Sequence, residues 1–334
     1  MTERITEPVK DRIRQWGKGR DADIPLRYAA TGDDMDESFK DFARMVADLA
    51  PCVTAKKDGD APVALPSLLV GSRVTYQAIP HDRELEPFLA VLADVDAFSD
   101  RVSAEVRQRL AQLTLPARVK VYVTPFCPHC PNVVSLLLGL AAVSDQVRVT
   151  VIDGELFPDA AGKDRVSAAP TVILDDQFRW TGSVDAAELV TLLLDRDPAS
   201  LGADALRSMI EEGNAEGVAR MMSQRGKIFD AFLDLLAHPR WSVRLGAMVA
   251  FESLVEADAE LARGIVEPLT ALFEKVDDMV KGDLLHVMGE SDNREALPFL
   301  EDVAARDDDE EVQEAAREAI EKLKEDGLTP IKDF

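Results

Sequence analysis

Two α/β units followed by an all-α region of helical repeats is the fold class this sequence predicts, and three observations predict it. Up to about residue 198 short apolar strand-like runs alternate with amphipathic helical runs. Within that stretch the order strand, helix, hairpin, helix occurs twice. After Asp195-Arg196-Asp197-Pro198 only helical periodicity remains. A chain of 334 residues has room for about two to three domains, and the expected boundaries are 1–112, 113–198 and 199–334.

The first unit opens on an amphipathic helix carrying Ile5, Val9, Ile13 and Trp16. A strand over 24–30 and a helix over 37–49 follow. A strand over 67–70 then turns at Gly71 into 73–78, before a helix over 84–94. In the second unit the strand 118–124, the helix 130–142 and the strand 147–153 precede a hairpin, 171–174 turning at Asp175-Asp176 into 178–181. A helix over 184–194 closes it. Leu65-Pro66-Ser67 holds in the first unit the place that Ala169-Pro170-Thr171 holds in the second. A proline just before a strand, at a sharp change of direction, is where a cis X-Pro bond is useful.

Beyond residue 198 a short template recurs: Val243-Arg244 with Ala247 and Ala250, Val280-Lys281 with Leu284 and Val287, Val312-Gln313 with Ala316 and Ala319. The copies are offset by 37 and 32 residues, and each follows another helix, over 229–236, 265–273 and 297–304. Paired helices at this spacing stack so that each pair buries the stripe its neighbour exposes. The pattern over roughly residues 200 to 325 resembles HEAT or HEAT-like repeats.

Chemistry concentrates at Cys127-Pro128-His129-Cys130, where the apolar run 119–123 hands over to the apolar run 133–140. A helix N-terminus presents unpaired N–H groups and partial positive charge that favour thiolate over thiol. The second cysteine can resolve the mixed disulfide that the first forms. Zinc is the competing use of such a pair. It needs four ligands, and Cys52, His81, His238 and His286 show no paired spacing.

The formal net charge of −24 argues against nucleic-acid or anionic-membrane binding through bulk electrostatics. Residues 199–334 hold 31 Asp and Glu against 15 Lys and Arg, which is two thirds of that imbalance. Solubility is the simplest use of such a surface. Met1-Thr2-Glu3-Arg4 leads into a charged amphipathic segment instead of an apolar signal core, and no apolar run approaches the roughly 20 residues of a membrane span. With three cysteines, two of them in one CxxC, the expectation is a soluble cytoplasmic protein with a catalytic pair.

Taken together, Cys127-Pro128-His129-Cys130-Pro131-Asn132-Val133-Val134, Val151-Ile152-Asp153-Gly154-Glu155-Leu156-Phe157 and Ala168-Ala169-Pro170-Thr171-Val172 resemble a known arrangement. It is the tandem thioredoxin-fold module at the N-terminus of the alkyl hydroperoxide reductase flavoprotein subunit, related to the protein disulfide oxidoreductases. Pro66-Ser67 and 80–85 extend the resemblance into the first unit. It implies a thioredoxin-like fold without CxxC over 1–112 and a redox-active one over 113–198, joined edge to edge. It also implies thiol–disulfide exchange, with Cys127 attacking, Cys130 resolving, and Ala169, Pro170 and Thr171 along the substrate groove. Glu84 matches the family's glutamate beside the dithiol, as a base for the resolving thiol; a charged first turn of a helix is its plainer role.

The family's flavin and nicotinamide domains are expected to be missing, their place taken by the helical repeats, so no cofactor is expected and electrons are expected to come from another protein. The implied partners are a peroxiredoxin and a thioredoxin-reductase-like flavoprotein, with a further protein on the repeats. Pro128, which lacks an N–H, and His129, which can place positive charge near Cys127, tune the thiolate and hence the redox poise. The rival reading is a repeat scaffold whose dithiol is a redox switch.

Other residues carry simpler expectations. Cys52, near a helix-to-strand junction, reads as a small buried residue. Phe178 and Trp180 read as sheet-packing, Trp241 as helix-stacking, and 307–311 as the acidic start of a helix rather than a calcium site. Gly17-Lys18-Gly19-Arg20-Asp21-Ala22 fits GxGxxA but follows a helix, so no pyrophosphate-cradling turn is expected there.

Overall fold

A computed structural model describes residues 5–325; the Met1-to-Arg4 start, on which part of the signal-peptide reading rests, lies outside them. The chain forms two compact units, Met1–Arg196 and Asp197–Phe334.

In the first unit, α1 (Glu7–Gly17) leads to β1 (Ile24–Ala29), α2 (Asp36–Leu49) and β2 (Val53–Lys57). The hairpin β3 (Ser67–Val70) and β4 (Val74–Gln77) and then α3 (Leu85–Ala93) complete the first fold. A 3-10 segment (Val95–Arg101) and α4 (Ala104–Leu110) bridge to the second: β5 (Ala117–Val123), α5 (Cys130–Val143), β6 (Val147–Asp153), α6 (Pro158–Lys163), β7 (Thr171–Leu174), β8 (Phe178–Thr181) and α7 (Ala186–Leu194).

All eight strands form one sheet in the order β2-β1-β3-β4-β6-β5-β7-β8. The order β2-β1-β3-β4 is repeated by β6-β5-β7-β8, so each half has the same topology. The halves join edge to edge where β4 pairs in parallel with β6, Val74 opposite Val149 and Gln77 opposite Ile152. That pairing removes two exposed strand edges at once. β5 and β6, buried on both faces at their C-terminal ends, are accordingly rich in valine.

Helix α5 packs under the 3-10 segment closely enough that a Cβ on Gly139 would stand 3.0 Å from the Phe98 carbonyl oxygen. Any larger residue there would have to push the 3-10 segment away by a few tenths of an ångström. Arg196 closes the unit: it is buried, donates to the carbonyls of Leu115 (2.9 Å), Pro116 (2.7 Å) and Leu193 (3.1 Å), and pairs with buried Asp175. It thereby ties the end of α7 to the entry of β5.

The second unit is helical, as the loss of strand signals predicts. Its helices are α8 (Ala203–Glu211), α9 (Ala215–Arg225), α10 (Asp230–Leu236), α11 (Trp241–Ala257), α12 (Ala259–Arg263), α13 (Val266–Phe273), α14 (Asp278–Glu290), α15 (Leu297–Arg306) and α16 (Glu310–Glu325). The recurring template falls on α11, α14 and α16, with Val243, Val280 and Val312 all buried. Arg244, almost wholly buried, pairs with Asp283 of the next template helix and donates to the carbonyls of His238 (2.8 Å) and Pro239 (3.1 Å). At Gly289, α14 and α16 approach until an added Cβ would lie 3.0 Å from the Ala319 backbone.

Trp241 departs from expectation. It is 57% exposed instead of stacked between helices. Among 307–311, Asp309 accepts from the backbone N–H groups of Glu311 (2.8 Å) and Val312 (3.1 Å), the acidic N-terminal cap the sequence implies.

Candidate active site: a disulfide at a strand-to-helix junction

The site is built where β5 ends. After Val123 the chain passes through Thr124 and Pro125, and the Cys127 N–H donates to the Thr124 carbonyl at 3.1 Å, turning the backbone into α5. Cys127 and Cys130 are joined as a disulfide. Cys127 is 8% exposed and Cys130 fully buried, so the first sulfur is the one a partner can reach. The Cys130 backbone N–H, first of the unpaired N–H groups of α5, lies 3.1 Å from Cys127 Sγ. In the reduced state that donor and the helix dipole favour negative charge on Cys127. Pro128 and His129 are exposed at the loop tip.

The Ala169–Pro170 bond is cis, and Leu65–Pro66, its counterpart in the first half, is not. Cys127 Sγ sits 3.7 Å from the Ala169 carbonyl oxygen. Pro170 and Thr171 are buried, and the Thr171 hydroxyl donates to the Ala168 carbonyl at 2.7 Å, holding the loop that faces the sulfur. Ala168 and Ala169 are the accessible members of that loop.

Glu84 comes from the half without cysteines in its loop. It stands at the N-cap of α3 yet makes no capping hydrogen bond. The side chain is buried, and neither carboxylate oxygen has a hydrogen-bond partner. The plainer expectation, an exposed acid in a first helical turn, is therefore not what the fold builds. Burial without a partner raises its pKa to about 7. Tyr76, wholly buried beneath it with an unpartnered hydroxyl, is held well above its ordinary pKa by that burial and then by the charge of Glu84.

Glu84 and Tyr76 line a cleft of about 10 Å³, room for about one water. Thr124, Pro125 and Asp153 of the disulfide-bearing half form its other wall, so the carboxylate faces the residues that lead into the disulfide loop. A larger cavity of about 270 Å³ adjoins it through Ile79, His81 and Asp153. Asp153 is itself fixed, accepting from the N–H groups of Glu155 (2.9 Å) and Leu156 (3.1 Å).

Sequence reading passes over Phe126, which is 81% exposed immediately before Cys127. Its ring stands in solvent next to the reachable sulfur. Its signal was its place alone, one residue ahead of the motif. Cys52 is buried and free, as expected.

A family model described as "Thioredoxin domain" matches residues 117–195. Residues 117–195 form a thioredoxin domain. A second model, "HEAT repeats", matches 229–321. Over 173 residues the chain is 26% identical to an alkyl hydroperoxide reductase subunit of Pseudomonas putida, covering 50% of this chain and 33% of that protein. Over 208 residues it is 25% identical to the Pseudomonas aeruginosa protein of the same name, covering 58% and 40%. A protein named NADH dehydrogenase from Ferdinandcohnia aciditolerans is 22% identical over 206 residues, covering 60% and 39%. The chain thus spans about a third to two fifths of the length of these relatives.

Among solved structures, a protein disulfide oxidoreductase from Aeropyrum pernix aligns with TM-score 0.49 at 13% identity, over 57% of this chain and 92% of that one. A domain of the alkylhydroperoxide reductase AhpF from Enterococcus faecalis aligns with TM-score 0.46 at 16% identity, over 56% and 99%. Domain match, CxxC and disulfide together give residues 117–195 the fold and cysteine pair of a thiol–disulfide oxidoreductase. No helix among the described residues is long and apolar enough to cross a membrane.

Proposed function

We propose that the protein relays electron pairs between protein partners through Cys127 and Cys130, in the cytoplasm, with a flavoprotein of the thioredoxin-reductase kind as donor and a peroxiredoxin disulfide as acceptor. The disulfide at the N-terminus of α5, with the Cys130 N–H directed at Cys127 Sγ, carries this reading. The relatives' name supports a peroxide-linked acceptor.

In the reducing direction, the Cys127 thiolate attacks one sulfur of the substrate disulfide. A mixed disulfide forms, and the other substrate sulfur leaves as a thiolate. Cys130 then loses its proton and attacks Cys127 Sγ, releasing the second substrate thiolate. The substrate has gained two electrons, and the protein is left as the Cys127–Cys130 disulfide, which the donor flavoprotein reduces again. Cys130 is wholly buried, so its deprotonation is the step that needs help. Glu84, ionising near pH 7 in a cleft whose other wall includes Thr124 and Pro125 at the entry to the disulfide loop, is the acceptor we assign to that proton. Ala169, kept in place by the buried cis Pro170, lies against the substrate strand beside Cys127, and Phe126 adds apolar contact.

The helical repeats, in this reading, recruit a partner and leave the chemistry alone. Cys130→Ser should trap the physiological disulfide as a mixed disulfide on Cys127, and identification of the trapped protein tests the partner assignment. If full-length protein does not turn over insulin or peroxiredoxin disulfides when supplied with a reductant, the scaffold reading with a redox switch replaces this one.

A further inference from the structure

The three template helices of the second unit present equivalent exposed positions, and their chemistry changes from one helix to the next. On α11 the outward row is Trp241, Leu245 and Val249, spaced four residues apart on one helical face and all exposed. The same template places Asp278, Gly282 and His286 on α14 and Glu310, Glu314 and Glu318 on α16. Gly282 has open space where a Cβ would stand, so the middle of the row is low. Met279, 72% exposed in the first turn of α14, adds apolar area beside it. Glu314 is paired with Arg317 at 2.6 Å, whereas Glu310 and Glu318 make no ion pair among the described residues.

An exposed row of Trp, Leu and Val is costly to leave in water, and the described residues leave 40–57% of each of the three side chains uncovered. A solenoid that buries Arg244 to fix one helix pair against the next has no structural need for Trp241 outside. A purely apolar occupant would leave the acidic end of the row unmatched, and an acidic one would be repelled by it. Three helix axes at 8–10 Å spacing span about 20 Å. A helical segment of about 15 residues, some 22 Å long, covers that distance.

From this row we infer that the second unit binds a basic amphipathic segment of another protein. Its apolar side chains lie on Trp241, Leu245 and Val249, and its lysines or arginines reach Glu310 and Glu318. This rests on the reading that the repeats recruit a protein, and it names the face and the chemistry of what is recruited.

Panning the full-length protein against a random library of peptides about 15 residues long tests it. Enriched sequences should combine an aromatic or long aliphatic cluster with Lys or Arg. Their affinity should fall about tenfold or more on Trp241→Ala, as for a buried aromatic anchor, and likewise on Leu245→Ser, a second variant at another exposed site. Glu310→Gln with Glu318→Gln should weaken binding and flatten its salt dependence. Failure to enrich any sequence, enrichment of sequences without basic residues, or binding indifferent to Trp241→Ala and Leu245→Ser would each overturn the inference. So would self-association of the full chain that Trp241→Ala abolishes, because the occupant would then be a second copy. Reduction of insulin disulfide by the same variants is the separate readout. Its loss in the parent protein would condemn the redox reading, whereas its retention with no peptide selected would condemn only this one.

Discussion

Replacing Glu84 with glutamine removes the ionisation but keeps the shape, and the structure gives both size and sign of the consequence. The carboxyl is raised from 4.5 to about 7 by burial with no hydrogen-bond partner. A raised pKa means that the folded state prefers the protonated form. The stability tied to that proton is whole below about 4.5, declines as pH rises toward the folded value, and is gone above about 7. At about 1.4 kcal/mol per unit, the loss is about 3 kcal/mol. The Glu84→Gln protein has no such dependence. The stability of the parent relative to Glu84→Gln should therefore fall by about 2–3 kcal/mol between pH 5 and pH 8. Urea unfolding followed by tryptophan fluorescence in a Trp241→Phe background measures it, since Trp16 and Trp180 then report only on residues 1–196. With m of about 1–3 kcal/mol/M, the difference between the two midpoints should move by about 1 M across that pH range. A gap that stays constant from pH 5 to pH 8 would refute the buried, partnerless carboxylate and with it the base assigned to Cys130.

The same ionisation predicts that the resolving step of the parent accelerates as pH rises through about 7, a limb missing in Glu84→Gln; identical stopped-flow profiles would remove Glu84 from the chemistry. In Cys130→Ser, the alkylation rate of Cys127 against pH should titrate below the roughly 8.5 of a free thiol, and an unshifted curve would deny the effect of the α5 N-terminus. Cys127→Ala should abolish insulin reduction while Cys52→Ala, buried and free, leaves it intact; equal loss in both would misplace the redox centre. Arg196→Ala, by taking the guanidinium from buried Asp175 and leaving it the Arg118 N–H at 2.8 Å, should cost about 3 kcal/mol in unfolding of the first unit, and a change under about 1 kcal/mol would show that the pair does not close the fold. Residues 1–198 contain both sheet halves and Arg196, so that fragment should reduce a generic disulfide near the full-length rate and show a raised KM with little change in kcat toward the physiological partner. Loss of generic activity in the folded fragment would instead place part of the active site in the repeats.

The sequence exposed most of the strand and helix order because valine-rich runs such as 147–153 and the Val-Arg, Val-Lys, Val-Gln template depend on local periodicity alone. It did not expose β2, whose Thr54, Lys56 and Lys57 look like loop because the strand lies at the sheet edge and half faces water. The bridging Val95–Arg101 segment and α4 were equally silent: they are short, and their fit depends on a contact at Gly139 far along the chain. At the site, the cysteines and the cis proline are carried by motifs of adjacent letters. The state of Glu84 is not, because its burial is decided by which strands pair, and β4 meeting β6 is a tertiary fact. Trp241 failed for the opposite reason. An aromatic residue at a helix start looks like core in one dimension, and only the packed repeat shows that its row faces out.

That β4–β6 pairing also explains why a thioredoxin fold without a dithiol is part of the machine. A lone fold would leave β6 as an edge and would lack the Glu84 carboxylate altogether. Joined through β6, the first half brings Glu84 and Tyr76 to a cleft walled by Thr124, Pro125 and Asp153. In the proposed role as base the carboxylate depends on being poorly placed for stability: an exposed or hydrogen-bonded glutamate would keep an ordinary pKa and be a poor match to proton transfer at neutral pH. Stability and proton acceptance thus run in opposite directions with pH, and both pass through the same value near 7. A variant that supplied Glu84 with a hydrogen-bond donor should make the first unit more stable above pH 7 and slower to resolve its mixed disulfide at that pH. If it gained stability with no loss of rate, the cost carried by Glu84 would be unconnected with catalysis.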